Sequence, residues 1–188
     1  MSTKLLTFID IGGHEKYSKS LVLGLCSQSP QYALLVISAI NNLSKITEQH
    51  FKLANLSQIP LIIVITHTDV ASETQIDELV MSINELVSRE MKDKYTIVIK
   101  NIEDIVLVSR LMGKEDPIPI FLVSNTNGKN HDLFTGFLNL LPSLNSFENS
   151  INLSTTEVIK LSYICLIKKF IYKSFSSNKN LNIMICRY

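Results

Sequence analysis

The chain has 188 residues, 46% of them apolar and 19% charged, which describes a globular chain with material for one sizeable core. Its formal net charge of +1 argues against a basic nucleic-acid module. Cys26, Cys165 and Cys186 form no CxxC pair, and the four histidines form no HExxH, so neither a disulfide framework nor a zinc site is expected. The opening residues lack a secretory signal, and the apolar stretch Val158 to Tyr172 is broken by Lys160, Lys168 and Lys169. No transmembrane helix and a reducing, cytoplasmic setting are therefore expected.

Taken in chain order, short apolar runs alternate with segments of helical period. Leu5 to Ile11 reads as a buried strand stopped by Gly12-Gly13, and Glu15 to Leu25 as a helix. Tyr32 to Ser38 is apolar on both faces, as a central parallel strand must be. Ser44 caps a helix running to Leu56, and Leu61 to Thr66 is the clearest buried strand. Ile76, Leu79, Val80, Ile83, Leu86 and Val87 line one face of a helix, with Ser72 and Gln75 at capping-box spacing before it. Tyr95 to Ile99 reads as a strand, followed by an unassigned stretch to Lys114. Ile118 to Ser124 is another strand. His131 to Leu141 closes as a helix, with Asn130 as its cap and Phe134 and Phe137 in the core. His50 and His131 read as ordinary surface or cap residues. The alternation predicts an α/β fold, a mostly parallel sheet flanked by helices.

In such sheets ligands bind beyond the carboxyl ends of the strands. Three polar clusters directly follow apolar strands here: Asp10-Ile11-Gly12-Gly13-His14, Thr66-His67-Thr68-Asp69 and Ser124-Asn125-Thr126. Parallel strands would bring all three to one edge. Asp10 has the chemistry to hold Mg²⁺ at a nucleotide phosphate. Gly13 lacks a Cβ, so its N–H can approach a phosphate oxygen closely, and His14 beside it can orient a water. Asp69 can accept two hydrogen bonds from a guanine edge, a bidentate pattern worth roughly ten- to a hundredfold between bases in the analogous reading of DNA. Ser124 and Asn125 can offer backbone N–H groups to the base carbonyl.

Asp-Ile-Gly-Gly-His-Glu-Lys-Tyr, from Asp10 to Tyr17, resembles the DxxGH switch II motif of the translation-factor GTPases. Its Glu-Lys-Tyr continuation is similar to the branch of GTP-binding proteins 1 and 2, relatives of elongation factor 1-alpha. Thr66-His67-Thr68-Asp69 resembles the guanine-specifying [NT]KxD motif, and Ser124-Asn125-Thr126-Asn127-Gly128 resembles that branch's last guanine motif. The resemblance runs from about Leu5 to Pro142 and implies an incomplete P-loop NTPase-type domain. It implies GTP or GDP with Mg²⁺ as ligands, Asp10 on the metal, Gly13 on the γ-phosphate and His14 positioning the hydrolytic water. It implies Asp69 on guanine, with Thr66, His67, Ser124 and Asn125 supporting the base loops. It also implies work on the ribosome, tRNA or another RNA through domains outside this chain.

Two departures stand out. His67 replaces the family's usual Lys, and no GxxxxGK[ST] phosphate loop occurs in the sequence. In the family that loop and the switch I threonine precede DxxGH, which begins here only ten residues from Met1. The absence of the strands that carry them is expected to leave an apolar sheet edge exposed. The expected organisation is a truncated GTPase domain over 1–142 and a tail of uncertain structure over 143–188. The charge balance shifts at that point: 15 acidic and 12 basic residues up to Pro142, then 2 acidic and 6 basic. Within the tail, Leu161 to Ile167 is a candidate helix or strand. One expectation for the tail is read-through of non-coding sequence, matched at the front by a missing first exon. Two functions follow from different classes: a GTP-hydrolysing domain of an elongation-factor-like GTPase, and a non-catalytic α/β remnant or interaction module.

Overall fold

Side chains alternate across a strand, so the apolar runs sort their residues onto two faces. The computed structural model describes residues 5–10, 30–41, 43–112, 114–115, 117–142 and 180–187. In chain order its elements are β1 (Leu5–Asp10), β2 (Tyr32–Ser38), α1 (Lys45–Leu56), β3 (Leu61–Thr66) and α2 (Glu73–Glu90). They continue as β4 (Thr96–Ile99), α3 (Ile102–Leu111), β5 (Ile118–Leu122), α4 (His131–Leu140) and β6 (Asn180–Arg187). The six strands form one sheet in the order β1-β6-β2-β3-β5-β4, and every pair in it is parallel.

At β2, β3 and β5 both faces are covered, as a parallel sheet requires. Ala33, Leu35 and Ile37 of β2 and Leu61, Ile63 and Ile65 of β3 face α1 and α2. Leu34 and Val36, with Ile62 and Val64, face the other way and pack with Phe121 against α3 and α4. There Phe121 meets Phe134 edge-on at 5.2 Å between ring centroids and Phe137 at 5.0 Å. Burying each such side chain stabilises by about 1.5–3 kcal/mol, which explains why the runs Tyr32–Ser38 and Leu61–Thr66 appear as strands with the expected bounds.

The helices start where their caps sit. Ser44 Oγ accepts from Thr47 N at 3.1 Å, and Ser72 and Gln75 form the expected reciprocal box before α2. The unassigned stretch before Lys114 contains α3, whose box is made by Asn101 and Asp104. Asparagine and aspartate fill the roles of the serine and glutamate for which the spacing is usually searched, so the signal went unread. Asn130 does occupy the N-cap of α4, but it adopts a left-handed backbone (φ 59°) and its side chain makes no cap bond. Its Nδ2 instead donates to Leu122 O at 2.7 Å, tying the loop back to β5. His50 also differs from expectation: it lies on the inner face of α1, 4% exposed.

The expected helix at Glu15 to Leu25 and the candidate element at Leu161 to Ile167 lie outside the described residues. Residues 180–187 of the tail form β6, which lies between β1 and β2. Among the described residues, no helix is long and apolar enough to cross a membrane.

Candidate functional site

Ser38 and Thr66 are register partners at the carboxyl ends of β2 and β3. The segment after β5 joins the same edge, with Val123 N donating to Ile65 O at 2.8 Å. Beyond Thr66 the chain turns sharply: Val70 N and Ala71 N both donate to His67 O, at 3.1 and 3.2 Å. Thr68 pins this turn to the end of β5, its hydroxyl donating to Val123 O at 3.0 Å from a buried position. The turn leaves Asp69 exposed, beyond the strand ends.

Across 55 residues of sequence, the fully buried Ser124 donates its hydroxyl to Asp69 Oδ1 at 2.7 Å. The same oxygen, Ser124 Oγ, accepts from Thr126 N at 3.3 Å. The Ser124 hydroxyl, followed by the backbone N–H of Asp69 itself, holds the Asp69 carboxyl below the usual carboxylate range, and Thr126 and the nearby His67 add to the effect. The ionised form of the carboxylate is thereby favoured on an exposed residue. It is an acceptor-only group suited to a ligand edge that presents two donors. The backbone N–H of Ser124 donates to Lys129 O at 3.3 Å, inside its own loop. Ser124 thus links the two loops through its hydroxyl, while its amide bonds within its own loop.

His67 takes a left-handed backbone (φ 60°), a conformation in which histidine is enriched among non-glycine residues. Its Nδ1 lies 3.1 Å from Thr66 Oγ1 and 3.2 Å from Ser38 Oγ. Thr66 Oγ1 also lies 3.4 Å from Ile37 O, to which it can donate. Two hydroxyls therefore anchor the imidazole at the strand ends. In the third loop, Gly128 (φ 74°) and Asn127 close a tight turn, with Asn127 Oδ1 accepting from Lys129 N at 2.9 Å. His131 Nε2 lies 3.2 Å from Asn125 Oδ1, joining the start of α4 to this loop.

Two of the three sequence clusters thus meet. Asp10 ends β1 on the same side of the sheet, but its register places it level with Ile185 and hence with Leu34, four residues short of Ser38. That is about 13 Å along the strands at 3.3 Å per residue. Gly12, Gly13 and His14 lie outside the described residues. A 320 Å³ cleft lined by Ala54, Gln58, Pro60 and Ile118 opens at the opposite, amino-terminal edge of the sheet, away from these loops.

Residues 1–161 match the family model described as the elongation factor Tu GTP binding domain. The chain belongs to that family. It is similar to GTP-binding protein 1 of Xenopus laevis (31% identity over 140 residues, 74% of this chain and 21% of the relative). It is equally similar to GTP-binding protein 2 of Mus musculus (31% identity, 76% of this chain and 24% of the relative). A shorter similarity, 31% over 86 residues, joins it to the selenocysteine-specific elongation factor of Haemophilus influenzae, covering 45% of this chain and 14% of that one. Among solved structures, apo elongation factor SelB from Methanococcus maripaludis superimposes at a TM-score of 0.41 and 16% identity, over 79% of this chain and 39% of that one. The chain spans about a fifth to a quarter of the length of the two GTP-binding proteins it matches.

For a GTP-binding domain of this family, the acceptor-only carboxylate of Asp69 fits a guanine, whose N1–H and N2 amino group are both donors. Among the described residues, no cluster of three His, Cys, Asp or Glu side chains is placed to hold a metal ion. That composition is compatible with Mg²⁺, which takes one or two carboxylates and completes its shell with phosphates and water. The sequence reading missed Ser38, Thr68 and Asn130 as supports of the site. Each is a polar residue at the end of an apolar run or at a loop boundary, the position that had singled out Thr66 and Ser124.

Proposed function

We propose that this chain is the base-reading and switch portion of a GTP-binding, GTP-hydrolysing domain from an elongation-factor-like GTPase. The observation that carries the reading is the Ser124–Asp69 hydrogen bond, which holds one ionised carboxylate outward at the carboxyl edge of the sheet. In this reading Asp69 accepts from N1–H and the N2 amino group of guanine. Thr66, His67, Ser124 and Asn125 hold the loops around it. Asp10, Gly13 and His14 serve the other end of the ligand: Asp10 for Mg²⁺, Gly13 for the γ-phosphate and His14 for the attacking water. The offset between Asp10 and the Ser38–Thr66 edge suits an extended ligand with its base and phosphates apart, as a nucleotide has. When bound, Mg²⁺ would neutralise phosphate charge. Partners on the ribosome, tRNA or another RNA would be contacted through domains outside this chain, in the cytoplasm.

The test is titration of the full chain with fluorescent GDP and GTP in Mg²⁺, beside Asp69→Asn. The substitution turns one acceptor into a donor, so guanine binding should weaken ten- to a hundredfold. Binding of xanthosine diphosphate, whose base presents an acceptor at that position, should strengthen. Equal binding of both nucleotides by both chains would refute the assignment of Asp69.

A second reading is a non-catalytic α/β interaction module without a working phosphate site. Guanosine binding as tight as GTP binding, with no phosphate release, would support it.

A further inference from the structure

Among the described residues, β1 has a single sheet neighbour. Leu5 to Asp10 pair with Asn180 to Ile185 of β6. β6 in turn pairs with β2 from Tyr32↔Ile183 to Val36↔Arg187. The first and second strands of the chain never pair with each other, and the last strand fills the slot between them. Its Ile-Met-Ile-Cys run, Ile183 to Cys186, is apolar at consecutive positions, the pattern of a strand in a parallel sheet covered on both faces. Thirty-seven residues, 143–179, separate it from Pro142, and lengthening such a tether adds little entropic cost, about 0.6 kcal/mol per doubling.

We propose that β6 is a positioning strand for the nucleotide site: among the described residues it is the sheet neighbour that joins the strand carrying Asp10 to the strands carrying the guanine loops, and its register sets the height of Asp10. The stagger supports this. Ile185 is the partner of both Asp10 and Leu34, so the level of Asp10 relative to Ser38 is transmitted through one β6 residue. Sheet registers that preserve facing slip by two residues, so one such slip would move Asp10 by about 7 Å relative to the base loops. The role of Asp10 rests on the function proposed above; the strand linkage does not.

Hydrogen exchange on the full chain tests the linkage. Amides of 5–10 and 180–187 should open together as one unit; protection of β1 while β6 exchanges freely would overturn it. Met184 pairs with Ile9 on one side and Ala33 on the other. Met184→Pro removes a ladder donor there, and should speed exchange of 5–10 by about tenfold or more while β3 and β5 stay protected. Met184→Leu should leave all three unchanged. Unaltered protection of β1 in the proline variant, with β6 open, would overturn the proposal. Should the proline variant not fold, the comparison within the unaltered chain decides. Nucleotide binding supplies the functional readout: Met184→Pro should abolish the Mg²⁺ enhancement of fluorescent GDP binding but keep guanosine binding, with Met184→Leu restoring both. Persistent Mg²⁺ enhancement with β1 unprotected would overturn the positioning role. No Mg²⁺ enhancement in the unaltered chain would refute the Asp10 assignment, and exchange would still decide the strand linkage.

Discussion

Acid should destabilise this fold through His50. Burial on the inner face of α1 lowers its pKa from 6.5 to about 4, because the charged imidazolium is penalised away from water. Below pH 6.5 the unfolded chain takes up a proton that the folded chain refuses until about pH 4, so protonation favours unfolding across that window. The loss is about 2 kcal/mol at pH 5 relative to pH 7.5, approaching 3 kcal/mol at pH 4. In a domain of this size 2 kcal/mol lowers the melting temperature by about 4–8 °C. The Asp69 carboxyl contributes its own acid loss only at lower pH, since its pKa is depressed below 3.8 and its stabilisation disappears as pH falls through that lower value. Urea denaturation at fixed pH steps between 5 and 7.5 would measure the effect, with a constant m-value showing that only stability changes. His50→Leu should flatten the profile in this window. The His50 resonance titrating near 6.5 in the folded chain, or an unchanged slope in His50→Leu, would refute the reasoning.

Other outcomes follow from single contacts. Phe137→Ala removes a fully buried ring packed against Phe121 and should cost about 3–5 kcal/mol by denaturant titration. Ser72→Ala breaks the capping box of α2 and should cost about 1 kcal/mol, visible as a shift in the urea midpoint. Ser124→Ala deletes the hydroxyl that most lowers the Asp69 pKa. The carboxyl should then titrate closer to the ordinary range by NMR, and guanine-nucleotide binding should weaken, with both changes absent if the loops are not coupled.

How much was legible depended on the range of the interactions. The strands at Tyr32–Ser38 and Leu61–Thr66 and the helix behind Ser72 follow from local pattern, because period and cap chemistry act within a few residues. The two loops that meet at the candidate site were legible for the same reason: Thr66 to Asp69 and Ser124 to Asn127 are contiguous strings at strand ends. The helix at Ile102–Leu111 was missed because its box uses Asn101 and Asp104. His50 was assigned to the surface because one polar residue in an amphipathic stretch carries no sign of the burial that α1 acquires by packing.

By itself, the sequence determined the α/β alternation, the two apolar faces of the sheet and the residue types available at the strand ends, all of them properties of neighbours a few positions apart. Only the tertiary structure decided that Ser124 would spend its hydroxyl on Asp69, 55 residues away, and its amide within its own loop. It alone decided that Asp10 stands four residues below the Ser38 edge. It alone decided that residues 180–187 fill the gap between the first two strands. Parallel pairing joins segments remote in the chain, and an apolar run carries no mark of which ladder will accept it; the slot is chosen by unpaired backbone groups on both flanking strands, which exist only once the sheet has assembled.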